Sequence, residues 1–408
     1  MAQRILPEPV LPVSETAAPA PGFRDFAILG GLESAMRGIL VSVWPLEMYH
    51  ALGDAKVVSW VYTLIGIASL CFGMLVPWVS RRIPRRWLYT SGAGLYLTAA
   101  VLGIIGGGMV TPAAYLCMAW GTVMVQICVA AYLMDYIARE DLGKSETLRL
   151  FYSAAPWAVG PVIGVTLWKI WPPLPFLVGM VGTLSMLGYF WHLRMGNGKT
   201  ITRARGPAPN PLAYLGRFVQ QPRLVAGWLF AVLRSAGWWV YIVYLPIFCI
   251  QNGLGDRIAS YAFSVSNLFL FLSPFMLRWM QKITLRRAVR TAFACAGACF
   301  TLAAFGGIWP PLSVLAILVG SFFLVMLDTF GSLPFLMAVR PAERTEMSAI
   351  YTSFRDVSGI LSPGAAWLVL LVAPVSGVFA ACGAGLAVAW GIAARLHPRL
   401  GRERGGAG

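Results

Sequence analysis

Apolar runs of about twenty residues recur along the whole chain, separated by short polar stretches. The hydrocarbon layer of a bilayer is about 30 Å thick and an α-helix rises about 1.5 Å per residue, so about twenty apolar residues cross it. By that ruler the first half of the chain predicts helices at 26–49, 57–79, 87–107, 113–137, 150–170 and 174–194. The second half predicts them at 224–249, 258–280, 288–308, 312–338, 347–371 and 374–395. The polar, basic, Pro/Gly-rich stretch 196–222 reads as a loop between two six-helix bundles, 24–195 and 223–397. Residues 1–23 and 398–408 read as cytoplasmic tails. The first tail is Pro- and Ala-rich and has no signal-peptide core, so it is expected to be disordered and the first apolar run to act as an uncleaved anchor.

Composition fits this pattern. The chain is 58% hydrophobic and 12% charged, with a mean hydropathy of +0.71; soluble domains are nearer half apolar and a quarter charged. The net charge is +16, from 32 basic and 16 acidic residues. The basic residues cluster in alternate loops: Arg81, Arg82, Arg85 and Arg86; Arg139, Lys144 and Arg149; Lys199 to Arg223; Lys282 to Arg290; Arg340 and Arg344; and Arg399 to Arg404. The intervening loops hold little beyond Lys56, Lys169 and Arg257. This alternation orients the chain with both termini in the cytoplasm and argues for an even number of spans rather than for nucleic-acid binding. All seven cysteines lie inside apolar runs, so no disulfide framework is implied.

The halves repeat. Ser59-Trp60, Trp78 and Arg85-Arg86 overlie Ser260-Tyr261, Trp279 and Arg286-Arg287 at a constant shift of 201 residues, and Arg139 overlies Arg340 at the same shift. Gly160-Pro161 overlies Ser362-Pro363 at 202. Matches at nearly one offset imply two parallel repeats about an axis along the membrane normal. The fold class expected is all-α and integral to the membrane, with twelve transmembrane helices in two pseudo-symmetric six-helix bundles.

The repeat, the central basic loop and the loop sequences together resemble the major facilitator superfamily over residues 24–397. That family's loop after helix 2 reads G-x-L-x-D-R-x-G-R-R; here it is Pro77-Trp78-Val79-Ser80-Arg81-Arg82-Ile83-Pro84-Arg85-Arg86. The arginines match, whereas the family's Asp is Arg81 and its two glycines are Pro77 and Pro84. Asp135 to Gly143 is similar to the family pattern after helix 4, and Gly160-Pro161-Val162-Ile163-Gly164 to the core of its antiporter motif. A Gly-Pro in a membrane helix also serves kinking and close packing. The resemblance implies a central substrate site near mid-bilayer and alternating access by rocking of the bundles. It also implies a cytoplasmic gate, for which Arg81, Arg82, Arg85, Arg86, Asp135, Arg139, Arg355 and Asp356 are the candidates.

Ionisable groups at membrane depth are costly, so each is a functional candidate. Arg37 lies halfway along the first predicted helix and Arg234 ten residues into the seventh. Two guanidiniums facing one cavity would clamp an anion. Glu33 is one turn from Arg37 and Asp328 is a candidate partner of Arg234, so structural pairing is the alternative. The same two carboxyls are the candidate proton carriers, because burial and a neighbouring Arg act on them in opposite senses. Gln126, Tyr241, Tyr244 and Asn267 are further substrate-contact candidates, with helix-to-helix bonding or packing the alternative.

No G-x-x-x-x-G-K-[ST] or H-E-x-x-H pattern occurs, which argues against ATP-driven transport, a metal enzyme or any cofactor. The expectation is a non-enzymatic secondary transporter in the bacterial inner membrane, monomeric, with a small-molecule substrate and a coupling ion, the proton. The favoured solute is an organic anion. Drug or metabolite efflux is one alternative, and a receptor or scaffold that keeps the fold without transporting is another.

Overall fold

A computed structural model describes residues 21–79, 82–137, 142–193, 215–307, 309–331, 333–339, 347 and 350–395. The first half comprises α1 (Phe23–Leu40), α2 (Val43–Leu52), α3 (Ala55–Val79), α4 (Arg85–Ile105), α5 (Val110–Tyr136), α6 (Leu142–Ile170) and α7 (Leu174–His192). After a short α8 (Leu215–Val219) come α9 (Pro222–Gln251), α10 (Arg257–Leu268), α11 (Ser273–Ile283) and α12 (Leu285–Ala303). The chain then forms α13 (Pro310–Phe330), α14 (Leu333–Ala338), α15 (Phe354–Leu370) and α16 (Val375–Ala393).

Ten helical segments among the described residues are long and apolar enough to cross a bilayer. Two of the twelve expected spans, 150–170 and 347–371, are not among them. They correspond to α6, whose first turns carry Lys144, Glu146 and Arg149, and to α15, which has 17 residues. The termini, the central segment 194–214, Arg81 and Arg139 lie outside the described residues, as does the side chain of Asp135.

Three spans expected to be continuous are interrupted, each four residues before a proline. Proline has no N–H to give to the carbonyl four residues back. Pro45 leaves Val41 without that bond, and the first span divides between α1 and α2. Pro274 does the same to Leu270, and a 3₁₀ turn at Phe269–Leu272 separates α10 from α11. Pro334 follows Phe330, where α13 ends ahead of α14.

Packing resolves into two bundles. One core gathers residues such as Phe26, Trp44, Tyr89, Phe176 and Phe190 from the first half. The other is built mainly from α9 to α16 and takes in Met48, Val58, Tyr62 and Ile65 from α2 and α3. In the first bundle α1 and α6 approach almost backbone to backbone: a Cβ on Gly160 or Gly164 would collide with the main chain of Gly38 and Ile39. The Gly-Pro sequence in α6 therefore packs helices closely and seats α1 firmly along one side of the central space.

The bundles meet mainly through α3 with α15, α6 with α10, and α2 with α9. These contacts gather toward one end of the molecule. Gln251 Nε2 donates to Tyr49 Oη at 3.1 Å, Tyr244 Oη donates to Ser59 Oγ at 2.8 Å, and Lys169 Nζ pairs with Asp256 Oδ2 at 3.0 Å. Trp60 and Trp367 stack obliquely there, centroids 5.2 Å apart. In the eighth span α10 packs on α6, while α11, beyond the 3₁₀ turn, packs on α12 and α13. The bundles are closed at the end bearing Lys56, Lys169 and Arg257. Among the described residues no helix pair packs across the bundles to a comparable extent toward the opposite end, where Arg82, Arg85, Arg86, Lys282, Arg286 and Arg287 lie.

Candidate functional site

A cavity of about 360 Å³ lies between the bundles, within the size range of small-ligand sites. Its first-bundle wall comes from α1 to α3, α5 and α6, and its second-bundle wall from α9 and α15. Six aromatic residues line it: Trp44, Tyr62, Tyr115, Trp157, Trp238 and Trp239. Among them stand three charged side chains, Arg37, Arg355 and Asp356, with the hydroxyls of Ser69, Thr122 and Ser235.

Arg37 borders the cavity while held by its own helix. Its Nη1 lies 3.3 Å from Glu33 Oε1, the one-turn spacing that places i and i+4 on one face. The guanidinium stands 5.7 Å above the ring centre of Trp157. Glu33 is buried and accepts a bond from Tyr96 Oη at 3.4 Å. The same hydroxyl reaches Thr122 Oγ1 at 3.1 Å. Thr122 is in the cavity wall, so Glu33 reaches the cavity both through Arg37 and through Tyr96 and Thr122.

Arg234 sits outside the lining. Its Nε is 2.9 Å from Asp328 Oδ1, its Nη1 donates to the Leu327 carbonyl at 3.3 Å, and its guanidinium lies 5.3 Å over Phe354. The pair expected as one alternative thus ties α9 to α13. Asp328 still communicates with the cavity, because Trp238 in the wall donates its indole N–H to Oδ2 at 2.8 Å.

The other sequence candidates lie around the cavity. Tyr241 hydrogen-bonds Ser266 at 2.7 Å and is fully buried. Tyr244 makes the bond to Ser59 across the bundles. Asn267 donates to the Phe263 carbonyl of its own helix at 2.9 Å. Gln126 follows Thr122 by one turn in α5 and is absent from the wall. Of the gate candidates, Arg82 is in the turn before α4 and Arg85 and Arg86 are at its start, whereas Arg355 and Asp356 are in the cavity wall itself.

Sequence reasoning overlooked Trp157, Tyr62 and Tyr115 as cavity residues. Trp157 lies one turn before Gly160-Pro161, and its place followed from the close packing of α1 on α6. Nothing in the local pattern of α3 or α5 distinguishes Tyr62 and Tyr115 from other membrane-helix aromatics. Among the described residues no group of three or more His, Cys, Asp or Glu is arranged to hold a metal ion.

The family model of the Major Facilitator Superfamily matches residues 26–363. The chain belongs to that superfamily, and it is a multi-pass membrane protein of a transporter family. No curated protein matches the sequence. Among solved structures, the fold is similar to the nucleoside transporter NupG at 14% identity and TM-score 0.68, covering 92% of this chain and 99% of that one. It is similar to a peptide transporter POT in complex with sulfate at 13% identity and TM-score 0.74, covering 93% and 94%. A bacterial homologue of the iron transporter ferroportin in an inward-facing state gives 13% identity and TM-score 0.69, covering 91% and 98%. At these identities the likeness is one of fold.

Proposed function

We propose that this protein is a secondary active transporter that carries a small organic anion through the central cavity by alternating access, driven by a proton gradient. The observation that carries this reading is the placement of two guanidiniums, Arg37 and Arg355, from opposite bundles in the wall of one cavity. A guanidinium keeps its charge at any physiological pH and offers paired donors to a carboxylate or phosphate. An anion held between the two would draw the bundles together, which is what a rocking carrier needs from its cargo.

Glu33 suits proton coupling. It is held by Arg37, so an anion that engages Arg37 competes with that hold and frees the carboxyl to act as a proton carrier. Asp328 is the second candidate, reached through Trp238. In this reading the basic end of the molecule faces the cytoplasm and the cavity opens inward. The cell membrane of a bacterium, a monomeric state and the domain limits 24–195 and 223–397 complete the proposal.

The aromatic lining favours one alternative, efflux of an apolar drug or metabolite with the charges serving structure. Uptake of radiolabelled small carboxylates and phosphate esters into proteoliposomes separates the two. Anion transport requires uptake that an inward proton gradient stimulates, a protonophore collapses and Arg37→Lys weakens. Transport confined to neutral or cationic apolar solutes contradicts it and supports efflux; no flux of any solute leaves a receptor or scaffold.

A further inference from the structure

The cavity wall holds an unpaired carboxylate as well as guanidiniums. Three carboxyls lie around the cavity, and two are taken: Glu33 by Arg37 and Asp328 by Arg234. Asp356 has no ion pair among the described residues and is exposed to the cavity. Its neighbour Arg355 has none among them either. Adjacent helical residues point about 100° apart and do not face each other, so the two attract one another through space without forming a direct ion pair.

Each member of the Arg355–Asp356 pair has surroundings that call for an opposite charge. Arg355 stacks 5.7 Å from the centre of the Phe354 ring, and Arg234 lies 5.3 Å from the same ring. Two guanidiniums therefore flank one phenyl group, and of the two Arg234 alone forms a direct ion pair among the described residues. Arg355 also lies within electrostatic reach of Arg37 and Arg149 of the first bundle. An anion placed there relieves this concentration of positive charge.

Asp356 borders an aromatic wall. Gly359 is three residues on, on the same helix face, and a Cβ there would touch the Trp239 ring at 3.3 Å. That ring meets Tyr62 edge-on at 6.1 Å. A carboxylate beside aromatic faces is the environment that holds an ammonium group, by ion pairing and cation–π attraction.

We infer that the transported solute is amphoteric: its anionic group docks on Arg355 and Arg37, and its ammonium group on Asp356 against the Trp239–Tyr62 wall. The inference rests on the transport reading above and narrows it from organic anions to compact amino-acid-like solutes with an apolar body. Of the other charges near the cavity, Asp328 stays with Arg234 and Glu33 is buried behind Arg37, so neither contributes a second cation site.

The test uses the full-length protein in detergent and its own tryptophan fluorescence, since four tryptophans line the cavity. Leucine and phenylalanine are titrated beside their α-carboxamides, which keep only the ammonium, and their deaminated acids, which keep only the carboxylate. The expected result is that the amino acid of a set binds at least about tenfold more tightly than either single-charge analogue, the loss of one charge-assisted contact. In Asp356→Asn the advantage over the deaminated acid disappears, and in Arg355→Gln the advantage over the amide does. Asp356→Glu retains the first advantage, and thermal unfolding midpoints confirm that each variant is folded.

Equal or tighter binding of the deaminated acids by the wild-type protein overturns the inference, as does the absence of binding by every member of both sets. Either result leaves anion transport standing if proteoliposomes take up carboxylates. Loss of that uptake as well removes the reading on which the inference rests.

Discussion

The Glu33–Arg37 pair lies within one helix along the cavity wall, whereas the Arg234–Asp328 pair joins α9 to α13 behind it. In the first pair the arginine is the more open partner, its side chain 28% exposed against 11% for the glutamate. In the second the order reverses, at 11% for the arginine and 33% for the aspartate. Arg37 can meet a solute without leaving its helix, while Arg234 holds two helices together and reaches the cavity only through Trp238. The same two residue types thus serve in one place as a contact available to cargo and in the other as a brace. What separates them is whether the partner lies on the same helix or across a helix interface.

The brace gives the largest expected effect. Arg234→Ala leaves the Asp328 carboxylate without its cation and should lower unfolding stability in detergent by about 2 kcal/mol, less than the loss for a fully buried pair because the Asp328 side chain is 33% exposed. Arg234→Gln combined with Asp328→Asn should recover a good part of that loss, as a coupled pair does. A stability change within about 0.5 kcal/mol, on the order of an ordinary surface substitution, would show that the pair does not brace the bundle.

The opposite profile is expected of Arg37→Ala. Proteoliposome flux should fall by about tenfold or more, about 1.4 kcal/mol in the transition state. Its unfolding midpoint should fall less than that of Arg234→Ala, because the pair it breaks lies within one helix and braces no helix interface. If both variants lose stability and flux together, the contrast between them dissolves.

Trp238 connects the two regions, and Trp238→Phe sharpens the comparison. It removes the indole donor to Asp328 while keeping an aromatic wall, and should cost about 1 kcal/mol of stability. The proton dependence of flux should shift in this variant if Asp328 takes part in coupling, and stay unchanged if only Glu33 does. The smallest effect is expected from Lys169→Ala. An exposed ion pair contributes about 0–1 kcal/mol, so the closed end should loosen slightly, seen as faster labelling of a cysteine placed at Asn252, with little change in folding.

Much of the architecture was legible in the apolar runs and the 201-residue repeat, because bilayer thickness imposes one length on every span. The helix interruptions were only partly legible: Pro45, Pro274 and Pro334 each mark one four residues earlier, but Pro156, Pro161, Pro246 and Pro363 lie inside unbroken helices. The site was harder to read. Glu33–Arg37 is a one-turn pair that any helix brings together, so its proximity follows from spacing. Whether Arg234 faces the cavity or a neighbouring helix depends on the rotation of α9, which an all-round apolar membrane helix does not encode in its periodicity. Arg355 and Asp356 were assigned to the gate for the same reason: depth along a helix can be counted, but the direction of a side chain about its axis is set by packing.

The claim on which the rest depends is that the two bundles rock about the cavity, whose described contacts now gather at the Tyr49–Gln251 end. Spin labels test it directly, in a background with the seven native cysteines replaced. One label pair at Asp54 and Asn252 reports the closed end, and one at Ile83 and Lys282 reports the basic end. In lipid, with and without a transported solute, the two distance distributions are expected to change in opposite senses, one end opening as the other closes. Single, unchanging distances at both ends, or changes of the same sense, would contradict alternating access for this protein.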